Sequence, residues 1–205
     1  MNVIVDYGVG NLFSLKSSLN YIGVEAVVSG DAGRIRAADR VLLPGVGAFG
    51  DAMKKLSANG LDRVVVEQAK KGKPLMGICL GMQLLFNRSY EFGETDGLGL
   101  IEGTVKPIKP YIPESYKVPH IGWNALHFTD KGRASKIFSY IAEGDYVYFV
   151  HSFAAVDCRE SVIAETEYGP LLTAAVQEGN VYGMQFHPEK SGETGLNILR
   201  AFCEL

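Results

Sequence analysis

The sequence predicts an α/β protein: an open, mixed, largely parallel sheet flanked by helices. Two observations carry this expectation. In the first half, short β-rich apolar runs alternate with helical segments of about a dozen residues, as expected of strands covered on both faces. In the second half, strand-like runs follow one another over short links, which suggests an antiparallel or mixed extension of the same sheet.

Taken in order, Asn2–Asp6 reads as a strand, Asn11–Ile22 as a helix and Val24–Ser29 as a second strand. Arg40–Leu43 is a third strand, ending at Pro44-Gly45-Val46-Gly47. Ala48–Asn59 and Leu61–Lys71 are helical, and Lys73–Ile78 is a short buried strand entered through Pro74. Leu80–Phe86 reads as the start of the next helix. Leu100–Pro107, Val118–Ile121, Tyr146–Val150, Val162–Glu165, Leu172–Gln177 and Val181–Phe186 are strands, and Pro107–Pro119 is the one long loop. A closing helix, Gly195–Phe202, presents Leu196, Leu199 and Phe202 at i, i+3 and i+6. With no repeat, linker or low-complexity tract, residues 1–205 are expected to form a single domain.

Composition excludes several classes of function. At 205 residues, 47% hydrophobic and 21% charged, the chain suits a globular protein with a full core. A net charge of -3 and the absence of any Lys/Arg block argue against a nucleic-acid partner. Cys79, Cys158 and Cys203 form neither a disulfide framework nor a CxxC zinc motif, and the four histidines are scattered, so no metal or other cofactor is expected. The N-terminus reads as a strand rather than a signal peptide, and no apolar stretch is long enough to span a bilayer. A cytoplasmic protein with reduced thiols and no membrane partner is the expectation.

The chemistry centres on Gly77-Ile78-Cys79-Leu80-Gly81, a cysteine framed by glycines between a strand and a helix. A strand that turns into a helix at G-x-Nuc-x-G forms a nucleophile elbow, which lifts the reactive atom to the top of the sheet. The helix N-terminus favours thiolate over thiol, and its free N–H groups can hold an oxyanion. The bland alternative is an inert core cysteine.

A cysteine nucleophile also needs a base, and the base needs an orienting partner. Gln185-Phe186-His187-Pro188-Glu189 offers both, with His187 at a strand end and Glu189 two residues on. Pro44-Gly45-Val46-Gly47, at another strand end, is a candidate second half of the oxyanion hole. An ordinary strand-to-helix turn would use the same glycines.

Together the elbow, Pro44–Gly47 and His187-Pro188-Glu189 resemble the class I glutamine amidotransferases. Asp6-Tyr7-Gly8-Val9-Gly10-Asn11-Leu12, Lys117–Asn124, Phe149-Val150-His151-Ser152 and His187–Gly192 look like the glutaminase subunits of imidazole glycerol phosphate synthases within that family. The likeness runs essentially from end to end.

The resemblance implies an amidotransferase-like fold, with the elbow at the carboxyl end of the central strands. It makes Cys79 the nucleophile that forms a thioester with glutamine, His187 the base and Glu189 its orienter. Leu80 N–H and the loop through Gly45, Val46 and Gly47 would hold the oxyanion, the loop rearranging so that the Val46 N–H turns inward. Gln83 and Glu91, with backbone groups around His151, Ser152 and Phe153, would hold the glutamine. Many relatives carry tyrosine where this chain has Phe153, so a hydroxyl contact there is lost. The implied partner is a (β/α)8-barrel cyclase, in a heterodimer, that receives the ammonia. Asn11, Trp123 and Lys190 are expected on the docking face. Other readings are an amidotransferase serving another pathway, a non-catalytic binding subunit, or a cysteine hydrolase of unrelated substrate. For Trp123 the alternative is a core-filling side chain.

Overall fold

The computed structural model describes residues 1–205. The strands of the first half are β1 (Asn2–Val5), β2 (Ala26–Ser29), β3 (Arg40–Gly45), β4 (Leu75–Cys79), β5 (Phe86–Ser89), β6 (Thr95–Asp96) and β7 (Ile101–Pro107). Those of the second half are β8 (His120–Ala125), β9 (His127–Phe128), β10 (Tyr146–His151), β11 (Phe153–Val156), β12 (Val162–Glu167), β13 (Leu171–Glu178) and β14 (Val181–Met184). The helices are α1 (Leu12–Tyr21), α2 (Ala32–Ala37), α3 (Phe49–Ala58), α4 (Leu61–Lys70), α5 (Leu80–Gln83), α6 (Asp130–Arg133) and α7 (Gly192–Cys203).

The main sheet has the order β2-β1-β3-β4-β14-β13-β12-β9. β2, β1, β3, β4 and β14 are mutually parallel, and β13, β12 and β9 continue the sheet antiparallel. Strand alternation splits the core in two. Val3, Val5, Val41 and Leu43 point to one face, with α2, α3 and α4. Ile4, Leu42, Met76 and Ile78 point to the other, with Leu15 and Leu19 of α1 and Ile198, Leu199 and Phe202 of α7. Helices on both faces explain why the parallel strands read as unbroken apolar runs.

The structure corrects four sequence expectations. The second-half strands do not all extend one sheet: β10 and β8 form a separate ribbon, and β11-β7-β5-β6 a separate four-stranded sheet. The elbow helix does not run to Phe86. After one turn, the Leu84 and Leu85 carbonyls accept from Leu98 and Leu100 N–H, and Phe86 enters β5 against β7. The closing helix begins at Gly192 and buries Gly195, Ile198, Leu199 and Phe202, with Leu196 at its margin. That i, i+3, i+4, i+7 stripe faces the core. Finally, β3 continues through Pro44 to Gly45, because both residues pair with β4. Helix α2 had no sequence assignment, although Asp31 caps it by accepting from Arg34 N–H at 2.8 Å.

Candidate active site

β4 ends on Cys79 and α5 begins at the next residue, so the sulfur stands at the carboxyl edge of the sheet, between β3 and β14. Cys79 has φ 55 and ψ -114, a backbone conformation that L-residues disfavour and that stores roughly 1–3 kcal/mol of strain. The flanking glycines permit it by close approach. A Cβ on Gly77 would run into the Gly81 carbonyl, and one on Gly81 would overlap the Leu43 carbonyl of the neighbouring strand. The thiol lies 3.8 Å from the Val150 carbonyl oxygen, to which it donates, and 3.8 Å from Gln185 Nε2, from which it accepts.

His187 follows β14 and is clamped to β10 through its backbone. Its N–H donates to the Tyr148 carbonyl at 3.0 Å. Ser191 Oγ donates to the His187 carbonyl at 2.7 Å and accepts from Tyr148 N–H at 2.9 Å. The next turn is held by α7, where a Cβ on Gly195 would overlap the Pro188 carbonyl. His187 Nδ1 lies 2.8 Å from Glu189 Oε1, and both side chains are only 3% exposed. A carboxylate accepts only, so Nδ1 carries the proton and Nε2 is left for the Cys79 thiol. Glu189 Oε2 is buried without a partner, which leaves His187 as the counter-charge of that carboxylate. Burial pushes the His187 ring down, but the Cys79 sulfur and Glu189 outweigh it and raise it to about 9.

These groups open into a cavity of about 350 Å³. Val46, Gly47, Cys79, Leu80, Gln83, Glu91, His151, Ser152, Phe153, His187 and Lys190 line it. Gly45 stands apart from the rest of the expected oxyanion loop: it is buried in β3, beneath the elbow. Gln83 Nε2 donates to the Phe153 carbonyl at 3.1 Å, and Glu91 Oε2 accepts from Phe49 N–H at 2.7 Å, at the start of α3. The His151 ring is engaged internally, with Nδ1 2.9 Å from the Phe153 carbonyl and Nε2 3.0 Å from His120 Nδ1. Burial pushes His151 down to about 4 and lowers His120 as well. Phe153 contributes its backbone at the head of β11.

The residues expected at a docking face divide as follows. Trp123 of β8 is 51% exposed, which removes the core-filling alternative, and its ring lies 6.0 Å from that of Tyr148. Lys190 Nζ sits 6.0 Å from the Tyr148 ring centre, so Trp123, Tyr148 and Lys190 form one patch, and Lys190 also lines the cavity. Asn11 precedes α1, which packs on the Pro188–Lys190 turn.

Sequence reasoning missed three buried groups. Tyr7 donates its hydroxyl to the Pro44 carbonyl at 2.8 Å, and burial, with Cys79 nearby, holds its phenol well above the usual range. His120 bonds His151, and Gln185 touches the Cys79 sulfur. Only Gln185 carried a signal, as a polar residue inside the apolar run from Val181 to Phe186.

The family model for class I glutamine amidotransferases matches residues 3–204. The chain is 47% identical over 206 residues to the imidazole glycerol phosphate synthase subunit HisH of Oceanobacillus iheyensis, covering 100% of this chain and 99% of the relative. It is 49% identical to the HisH subunit of Wolinella succinogenes, covering 98% of each. Among solved structures, a glutamine amidotransferase superimposes with a TM-score of 0.76 at 20% identity, over 98% of this chain and 97% of the other. PurLQS from Thermotoga maritima gives a TM-score of 0.74 at 20% identity, over 99% and 97%. These distant structures share the fold. No helix is long and apolar enough to cross a membrane. With a match across nearly its whole length, the chain belongs to the class I glutamine amidotransferase family.

Proposed function

We propose that this chain hydrolyses glutamine to glutamate and ammonia and delivers the ammonia to a (β/α)8-barrel cyclase subunit. The cyclase makes imidazole glycerol phosphate and aminoimidazole carboxamide ribotide in histidine biosynthesis. The observation that carries the chemistry is a strained cysteine at a strand–helix elbow, facing a histidine that a buried carboxylate orients. The assignment to this synthase rests on relatives at 47–49% identity along the full chain.

In this mechanism Cys79 attacks the side-chain amide carbon, and its proton passes to His187. The raised affinity of His187 for a proton suits it to protonate the departing nitrogen, which leaves a thioester on Cys79. Water activated by the now neutral His187 releases glutamate. Glu189 holds the imidazole in the tautomer that presents Nε2. Leu80 N–H and the Val46–Gly47 segment hold the oxyanion, while Gln83, Glu91 and the backbone from His151 to Phe153 position glutamine at the cavity wall. The whole chain acts as one domain, and Asn11, Trp123 and Lys190 meet the cyclase.

An uncoupled glutaminase would waste glutamine. The free chain is therefore nearly inactive until the cyclase binds its ligand, with one oxyanion donor misdirected at a cost of roughly 10²–10³ in rate. The test is glutamate release by the chain alone and with a barrel cyclase plus its nucleotide ligand. Strong stimulation that disappears in Cys79→Ser is expected. Full activity without the partner would remove the brake, and a folded chain silent in both conditions would overturn the proposal.

A further inference from the structure

Gln185 is fully buried, and its side chain lies within reach of the nucleophile. A desolvated amide is costly unless its polar atoms are bonded, and an apolar side chain of equal size would fill the same space without that demand. Here the partners are specific. Gln185 Oε1 accepts from Gln83 Nε2 at 3.0 Å, and Gln185 Nε2 lies 3.8 Å from Cys79 Sγ.

The direction of these bonds follows from donor counting. Gln83 Nε2 donates both to the Phe153 carbonyl and to Gln185 Oε1, so both its N–H groups are used. The Gln83 amide is thereby held with its oxygen free for the cavity that it lines. Because Gln185 receives on its oxygen, its amino group faces the sulfur. That N–H bonds more strongly to S⁻ than to S–H.

We propose that Gln185 is a further catalytic group: its amide donates to the Cys79 thiolate, and its carbonyl locks Gln83 so that the Gln83 oxygen accepts an N–H from the substrate. This second half rests on the glutaminase reading, whereas the first concerns the thiol alone.

Two variants separate the roles. Gln185→Glu keeps the size and an acceptor for Gln83 but replaces the donor at sulfur with negative charge. Gln185→Met keeps the size and removes both bonds. Alkylation by iodoacetamide is followed across pH on the full chain, with the modified cysteine identified by peptide mass spectrometry and folding checked by circular dichroism. Cys158 and Cys203, both pushed up to about 11 chiefly by burial, serve as internal controls.

In both variants the neutral-pH alkylation rate at Cys79 is expected to fall roughly tenfold, with the pH–rate profile displaced to higher pH. Superimposable profiles in folded variants overturn the sulfur role. In glutamine hydrolysis with the cyclase, Gln185→Glu should lower kcat with KM near wild type, and Gln185→Met should also raise KM. An unchanged KM in Gln185→Met overturns the locking of Gln83. Displaced alkylation profiles without glutamate release under any condition would sink the glutaminase reading while supporting the sulfur role. A wild-type Cys79 that resists alkylation would overturn both.

Discussion

Gly45 and Cys79 are cross-strand partners: the parallel register of β3 and β4 sets the last residue of each strand beside the other. The segment leaving β3, Val46–Gly47, therefore emerges next to the Cys79 sulfur. The fit is tight, since a Cβ on Gly45 would come within 2.7 Å of Gly81 N and 2.8 Å of the Tyr7 hydroxyl. Tyr7 also holds the Pro44 carbonyl, so it braces the start of that segment.

This packing predicts opposite effects of small changes at the elbow. Gly81→Ala forces a Cβ into the Leu43 carbonyl and should destabilise by about 3 kcal/mol or prevent folding. At Cys79, where φ is 55, glycine relieves strain that alanine retains. Cys79→Gly should thus be more stable than Cys79→Ala by about 1 kcal/mol. Urea denaturation midpoints decide, and the reverse order would show that the elbow is unstrained.

In the proposed mechanism Glu189 acts through His187 alone, the one partner of its buried carboxylate. Glu189→Gln keeps the shape but removes the charge facing Nδ1. Glutamate release by the complex should drop roughly 10²-fold or more, mainly in kcat. Unchanged turnover would mean that the backbone clamp to Tyr148 suffices to orient the ring.

The buried histidines predict a two-sided pH dependence of stability. His151 has its folded value lowered to about 4, so its contribution is present above pH 6.5 and is lost as pH falls toward 4. The amount is about 3 kcal/mol, and thermal melts should show it as a falling midpoint across that window. His187 has the opposite sign. Raised to about 9, it contributes stability that is full below pH 6.5 and is lost as pH rises through 9. Replacing His151 with Gln should flatten the acid limb and leave the alkaline limb intact. An unaltered acid limb would assign it to other groups.

Half-exposed Trp123 predicts an interface anchor. Trp123→Ala should raise the Kd for the cyclase roughly tenfold to a hundredfold without lowering the melting temperature. Isothermal titration calorimetry gives the answer, and an unchanged Kd would remove this ribbon from the docking face.

Much of the fold was legible because its signals are local. The parallel strands are short apolar runs, and α1, α3 and α4 carry helical patterns between them. The elbow was legible for the same reason, since Gly77, Cys79 and Gly81 act on one another within five residues. The second half was less so. β5, β6, β9 and β11 are short, and which strand pairs with which depends on long-range hydrogen bonds that leave no mark on composition. Polar residues at strand ends, such as Gln185 and His120, read as blemishes in a pattern until their partners are seen.

By itself, the sequence determined the α/β class, the cysteine at its strand–helix turn, the closely spaced His187 and Glu189, and the family, because each is written in contiguous residues. Only the tertiary structure decided that Gly45 lies beside Cys79 and that Tyr148 clamps His187. It alone also joined Gln185 to both Gln83 and the sulfur. Those relationships follow from strand order and register. Both are set by the balance of burial and hydrogen bonding over the whole sheet, not by any local run of residues.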